Sequence, residues 1–210
     1  MKDILLIGGG GHCKSVIDTI RKLNEFNIVG ILDVKEKLGT RIDNVEIIGT
    51  DEDLRYYYDQ GITNSFITVG SIGDTKLRYR ICQKVIALGY ALPVIIDAMA
   101  IVSENSKIGQ GTFVGKGVII NTGASVGENC IINTGAIIDH DCNIGDFCHI
   151  APGSTLSGGI IVGNDSHIGT NSTIIQGIKI GSNTIIGAGS VVIKDIGSSV
   201  KAYGNPCREV

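Results

Sequence analysis

The chain has 210 residues, 43% of them hydrophobic and only 5% aromatic, with a formal net charge of -3. That length holds either one large domain or two small ones, and the absence of basic clusters gives no electrostatic footprint for nucleic acid. No apolar run approaches the ~18 residues of a spanning helix, which excludes a helical membrane role.

The start, Met1 to Ile7, reads as a short strand running into glycines and not as a signal peptide. Ile4 to Ile7 is the buried part, followed by Gly8, Gly9, Gly10, Gly11 and His12. A helix is predicted from about Lys14 to Leu23, because Val16, Ile17, Ile20 and Leu23 fall on one face. Ile28 to Leu32 gives a second strand ending at Asp33, which completes a βαβ unit. Alternation continues with a strand at 45–48, a helix at 51–59, a strand at 65–69, a helix at 75–88 and a strand at 92–96. Such a pattern predicts a Rossmann-like α/β domain over residues 1–96, with a parallel sheet and ligands at the carboxyl ends of its strands. Gly8 to His12, Asp33 and the Gly70–Ser71 pair all fall at such ends.

The glycine run can bring backbone N–H groups to a phosphate at a helix N-terminus. As a dinucleotide fingerprint it is incomplete, since the third glycine would have to stand where Cys13 does. Asp33 stands where a ribose hydroxyl would be bound.

From residue 101 the character changes. An aliphatic residue returns every six positions from Val102 and Ile108 through Ile138, Ile144 and Ile150 to Ile186 and Val192. Four residues after most of them comes a small side chain, among them Thr112, Cys130, Cys142, Cys148, Ser154 and Ser166. This period fits a parallel β-helix whose short strands bury one large and one small residue per repeat. Glycines such as Gly109, Gly127, Gly145 and Gly163 follow the aliphatic positions, where corners are expected to need positive φ. Residues one position before the buried aliphatic are expected to face outward: Ile119, Ile131, Ile137, Ile161, His149 and His167. The cysteines at the small inward position read as reduced core residues of a cytoplasmic protein, and no pair has the spacing of a zinc knuckle.

The six-residue run resembles the hexapeptide-repeat acyltransferases. That resemblance implies a left-handed β-helix over about residues 97–210, three hexapeptides to the coil, with acetyl-CoA as co-substrate and no metal. With "GGGGHCKSV" and "ILD" ahead of the repeat, nearly the whole chain resembles the sugar acetyltransferases of the NeuD/PglD type. In those enzymes the N-terminal domain takes a sugar or nucleotide-sugar acceptor, so Gly10, Gly11, His12, Asp33, Val34 and Gly70 are its implied contacts. Their "DHDC" segment implies His140 as general base and Asp141 as its orienting carboxylate. His149, Gly158 and backbone near Thr170 and Ala188 are implied for acetyl-CoA, Gly158 through its N–H at the thioester oxygen. The tail "YGNPCREV" resembles the tail that lies near coenzyme A in hexapeptide acyltransferases, and homotrimeric assembly is implied as well.

Read from the residues, His140 between Asp139 and Asp141 suits a general base with a pKa near neutrality. Neighbours on a regular strand point to opposite faces, so Asp141 reaches His140 only if a corner intervenes. His140 and His149 are nine residues apart, unlike the five-residue pair of the zinc-dependent hexapeptide hydratases. The acceptor implied is the amine of a nucleotide-linked 4-amino sugar. The alternatives are a sialic acid hydroxyl and, in another class, a sugar-binding solenoid without catalysis.

Overall fold

A computed structural model describes residues 1–210. It divides into two compact units, one of Met1–Ser71 with Lys76–Ala98 and one of Ile72–Thr75 with Met99–Val210.

The first unit runs β1 (Lys2–Ile7), α1 (Gly11–Leu23), β2 (Phe26–Leu32), β3 (Arg41–Ile42), β4 (Val45–Gly49), α2 (Leu54–Asp59), β5 (Asn64–Ile67) and α3 (Lys76–Leu88). Its sheet has the order β3-β4-β2-β1-β5, parallel except for β3. The chain steps from β1 outward through β2 and β4, then crosses back to place β5 on the other side of β1. That reversal makes a topological switch point beside β1, where an open α/β sheet leaves a crevice for ligand. The glycine loop after β1 and Gly70 after β5 both fall there.

α1 begins at Gly11, earlier than the apolar periodicity predicts, because Gly10 is its N-cap and Gly11, His12 and Cys13 open its first turn. α2 starts later than predicted, since Asp53 Oδ2 accepts from the Thr50 N–H at 2.8 Å and holds a turn ahead of it. The strand expected at 92–96 shortens to Ile95–Ile96, consistent with Pro93 lacking an N–H to give a ladder. β3 was not predicted. It pairs with β4 through a two-residue turn in which Asp43 and Asn44 both have positive φ, the geometry that favours Asn and Asp in tight hairpins.

The second unit is a left-handed parallel β-helix. Strands of two residues pair with strands eighteen positions on, as in Ile119 with Ile137 and Ile137 with Thr155. Three flat walls result, and the inward column of Val114, Ile132, Ile150, Ile168 and Ile186 is fully buried. Val102 and Ile108, at the open end, are half-buried. Ile150→Ala is expected to lower unfolding stability by about 2 to 5 kcal/mol in a urea titration, because the rigid coils above and below cannot collapse into the space.

The small inward residues do more than fit. Cys130, Cys142 and Cys148 each point the thiol at a carbonyl fifteen residues on, those of Gly145, Ser157 and Gly163, at 3.0 to 3.1 Å. Ser154, Ser166 and Ser172 do the same with hydroxyls to Gly169, Gly181 and Gly187. Each therefore satisfies a corner carbonyl of the next coil that the strand ladder leaves unpaired. Cys, Ser and Thr are interchangeable here because all three are compact donors.

The expectation of positive φ at the glycines that follow the aliphatic column is not met. The left-handed residue of each corner comes two places later, from Gly111 and Gly117 through Asn129, Asp141 and Asp165 to Gly189. Gly109, Gly127, Gly163 and Gly169 are required for a steric reason, since a Cβ on any of them would lie 2.5 to 2.8 Å from backbone of the next coil. The tail closes the C-terminal end of the solenoid: Lys201–Gly204 continues the wall of Ile185–Ile186, and Cys207–Glu209 folds back on it antiparallel. It is the edge cover that a stack of strands needs.

Candidate active site

His140 stands at a corner of the β-helix just after the strand Ile137–Ile138, and its side chain is exposed. The next residue, Asp141, takes the left-handed conformation with φ 59, which Asp tolerates better than most residues. This corner turns the Asp141 side chain back, so that its Oδ2 lies 2.9 Å from His140 Nδ1. A straight strand would have separated the two side chains. With Nδ1 donating to the carboxylate, Nε2 carries the lone pair.

Asp139 acts on the same residue from the other side. Its Oδ1 accepts from the His140 backbone N–H at 2.7 Å and from Asn121 Nδ2 at 2.8 Å. Those two hydrogen bonds hold the Asp139 carboxyl below its ordinary pKa. The hydrogen bond that His140 donates to Asp141, with the negative charge of Asp139, raises the His140 pKa above its ordinary value.

One coil on, Gly158 stacks at the corresponding corner, and the Gly159 N–H donates to the His140 carbonyl at 2.9 Å. A Cβ at Gly158 would sit 2.5 Å from both His140 Nε2 and Cε1, so the imidazole rests in the space that a missing side chain provides. The N–H groups of Gly158, Thr170 and Ala188 donate to no protein acceptor. All three are left available at their corners.

His149 and His167 face each other edge to face on adjacent strands, with ring centroids 4.8 Å apart. Asn133 Nδ2 approaches His149 Nε2 at 3.2 Å. The expectation that His167 faces solvent is wrong: it is 7% exposed. Burial first, and then the charge of a protonated His149, push its pKa down to about 4, so the ring is neutral at neutral pH. The segment Ile72–Thr75 runs across this part of the wall, with Thr75 Oγ1 donating to Asp165 Oδ1 at 2.6 Å and Gly73 packed on Ile185, the residue stacked on His167. Ile131 is buried as well, and Ile119 and Ile137 are half-buried, while Ile161 is exposed as expected.

In the first unit, a cavity of about 580 Å³ opens at the carboxyl ends of the strands and is lined by Gly8, Asp33, Val34, Thr50, Asp53 and Arg80 among others. Asp33 lines it with its oxygens already engaged. Oδ2 accepts from the Gly9 N–H at 2.6 Å and from Lys37 Nζ at 2.8 Å, and Oδ1 from the Val34 N–H at 2.7 Å. Burial works to raise its pKa, but the hydrogen bonds from Lys37, Val34 and Gly9 outweigh this and hold it below the ordinary value. Its first task in this fold is to fix the glycine loop. Gly10 and Gly11, outside the cavity lining, have open space where a side chain would be, and His12 sits beside Gly70. Cys13 is buried, its thiol pushed up to about 11 by burial, and acts as a core residue of α1.

Sequence reasoning passed over Asn121 and Asn133. Asn121 lies eighteen residues before Asp139, so the coil period would have found it. No helix of the protein is long and apolar enough to cross a membrane.

Residues 3–85 match the PglD N-terminal domain family, and residues 105–140, 123–158 and 159–194 match the bacterial transferase hexapeptide family. Comparison with curated protein sequences gives no match. Among solved structures, a histidine variant of perosamine N-acetyltransferase from Caulobacter crescentus, in complex with CoA and GDP-perosamine, is 37% identical with a TM-score of 0.93, covering 100% of this chain and 97% of that one. The acetyltransferase domain of PglB from Neisseria gonorrhoeae FA1090 is 31% identical with a TM-score of 0.91, and coverage is 100% of both chains. WeeI from Acinetobacter baumannii AYE, at 21% identity and a TM-score of 0.85, shows the shared fold. With such identity sustained from end to end, the chain belongs to the acetyl-CoA-dependent sugar acetyltransferases that join a PglD N-terminal domain to a hexapeptide-repeat β-helix.

Proposed function

We propose that this enzyme transfers the acetyl group of acetyl-CoA to the amine of a nucleotide-linked 4-amino sugar, with His140 as general base. The observation that carries this reading is the His140–Asp141 contact of 2.9 Å, with Nε2 set over Gly158. Asp141 fixes the tautomer and stabilises the imidazolium as it forms. The neutral amine attacks the thioester carbonyl carbon while Nε2 takes its proton. The carbonyl oxygen, gaining charge, lies against the Gly158 N–H, a donor with no other partner. The C–S bond then breaks, and the imidazolium returns the proton to the departing sulfur, giving the amide and the CoA thiol.

Acetyl-CoA is assigned to the β-helix, along the free N–H groups of Thr170 and Ala188 and beside His149. The acceptor's nucleotide is assigned to the first unit, where Gly10, Gly11, His12, Asp33, Val34 and Gly70 gather at or near the switch point. That PerB from Caulobacter crescentus was solved with CoA and GDP-perosamine, and the PglB domain with acetyl coenzyme A, supports these two classes of ligand. Homotrimeric assembly and a cytoplasmic location belong to the same reading, and sedimentation as a stable monomer at micromolar concentration would overturn the first.

The deciding experiment is thiol release from acetyl-CoA against GDP-, UDP- and dTDP-linked 4-amino sugars alongside sialic acids. Release with the amines alone is expected; release with sialic acid alone would replace this reading by O-acetylation. Gly11→Leu is expected to raise the acceptor's KM at least about tenfold without loss of stability, because the new side chain occupies open space at the first turn of α1 and not packed core. KM for acetyl-CoA should not move.

A further inference from the structure

The Asp139 carboxylate is committed on one side only. Oδ1 takes both the His140 N–H and the Asn121 amide, while Oδ2 has no partner in the protein. Nothing about folding the corner needs that second oxygen. The residue is half-exposed beside the imidazole, and it stays ionised because its two donors favour the charged form. Asp141, exposed and adjacent, adds a second carboxylate, but His140 Nδ1 holds its Oδ2 and so keeps that carboxylate on the side of the ring away from Nε2. An unengaged anionic oxygen therefore stands beside the base.

An amine of a sugar reaches an enzyme near neutral pH largely as ammonium, as the α-amino group with a pKa of about 8 would. A hydroxyl arrives neutral, and a sialic acid carries a carboxylate of its own. We infer that Asp139 Oδ2 is the group that receives the acceptor's ammonium, and that Asn121 is the positioning residue that aims it by holding Oδ1. The inference rests on the amine-acceptor reading above and adds what selects the amine. A charge-assisted hydrogen bond forms to the cation, one ammonium proton is released to solvent, and the neutral amine then presents its lone pair to the thioester and its next proton to His140 Nε2. Atoms balance: of the three ammonium protons one goes to solvent, one to the CoA sulfur, and one stays on the amide nitrogen.

Asp139→Asn keeps an oxygen for both donors and removes the charge, so the corner should persist. The experiment measures kcat and KM for GDP-perosamine and for UDP- and dTDP-linked 4-amino sugars, with inhibition by the 4-hydroxy counterpart of the preferred acceptor. Asp139→Asn is expected to raise the amine's KM at least about tenfold, leaving KM for acetyl-CoA and the inhibition constant of the hydroxy counterpart unchanged. Asn121→Ala should raise the amine's KM in the same direction by less, with kcat nearly kept. A structural role alone would move amine and hydroxy compound together. Equal weakening of both, or an unchanged KM for the amine, overturns the assignment while thiol release by the unaltered enzyme still upholds amine acetylation. Thiol release by the unaltered enzyme with the hydroxy compound and with no amine overturns the acceptor reading and this inference together.

Discussion

His140→Ala lowers kcat by about 10² to 10⁴ and leaves the affinity for acetyl-CoA nearly unchanged, because a general base acts on the acceptor's proton and not on the donor's ground state. Its side chain is exposed at a corner, so the fold does not depend on it. The pH profile carries the same assignment. A base must be unprotonated to act and an amine neutral to attack, so the rate rises with pH through the His140 and amine pKa values together, and the Asp141 hydrogen bond first, and then Asp139, place that of His140 above its ordinary value. Asp141→Asn removes the larger of these causes, and the rising limb should move to lower pH. Full kcat in folded His140→Ala at saturating acceptor would remove His140 from the mechanism, whereas a limb unmoved in Asp141→Asn would mean that the amine alone sets it. His149→Ala should instead weaken acetyl-CoA binding. Asp141 should be exchanged for Asn and not for Ala, since its left-handed backbone accepts Asn and penalises residues without that tolerance.

Gly158→Ala is the second large effect. The added methyl would stand 2.5 Å from His140 Nε2, a distance no side chain holds, so the imidazole must leave its position over the corner. The base and the N–H assigned to the developing oxyanion are disturbed together, and kcat should fall by about 10² to 10³. Gly158 has no positive φ, so the substitution costs little backbone strain and the protein should melt close to the parent temperature. A variant that melts normally and keeps its kcat would show that the ring does not work from where the structure places it. Soaking acetyl-CoA into crystals of the variant would then show whether the thioester has moved with the ring.

How far the sequence carried these conclusions depends on the range of the interactions. The solenoid was legible because its signal is periodic: one aliphatic residue in six is a constraint repeated in every coil, and its eighteen-residue stacking follows directly. The glycine loop at the carboxyl end of β1 was legible because a strand, a glycine run and a helix lie within two dozen residues of one another, whereas the strand order that makes a switch point there was not. The surroundings of His167 were not, since the segment at residues 72–75, which reaches Asp165 and Ile185, comes about ninety positions earlier and no periodicity announces it. The reason for the corner glycines was misread for a related cause. Positive φ is a property of one residue, whereas the crowding at Gly109 and Gly127 comes from the coil stacked against them. Asp33 likewise was read from its place after a strand, and only the folded loop reveals that the Gly9 N–H already occupies it.

The eighteen-residue stacking also gives this protein a reading frame of its own. His140 and Gly158 work together because exactly one coil separates them, as it does Asn121 and Asp139. Loss or gain of a single hexapeptide anywhere from residue 122 to residue 157 would turn one partner of at least one pair onto a different wall, leaving the apolar column intact and the protein folded but inert. Only beyond Ala188, past the last N–H assigned to acetyl-CoA, can the chain lengthen or shorten by whole coils, each ~4.8 Å of height. Descent with change of length in such an enzyme is therefore quantised, and the stretch from Asn121 to Ala188 is where it is forbidden.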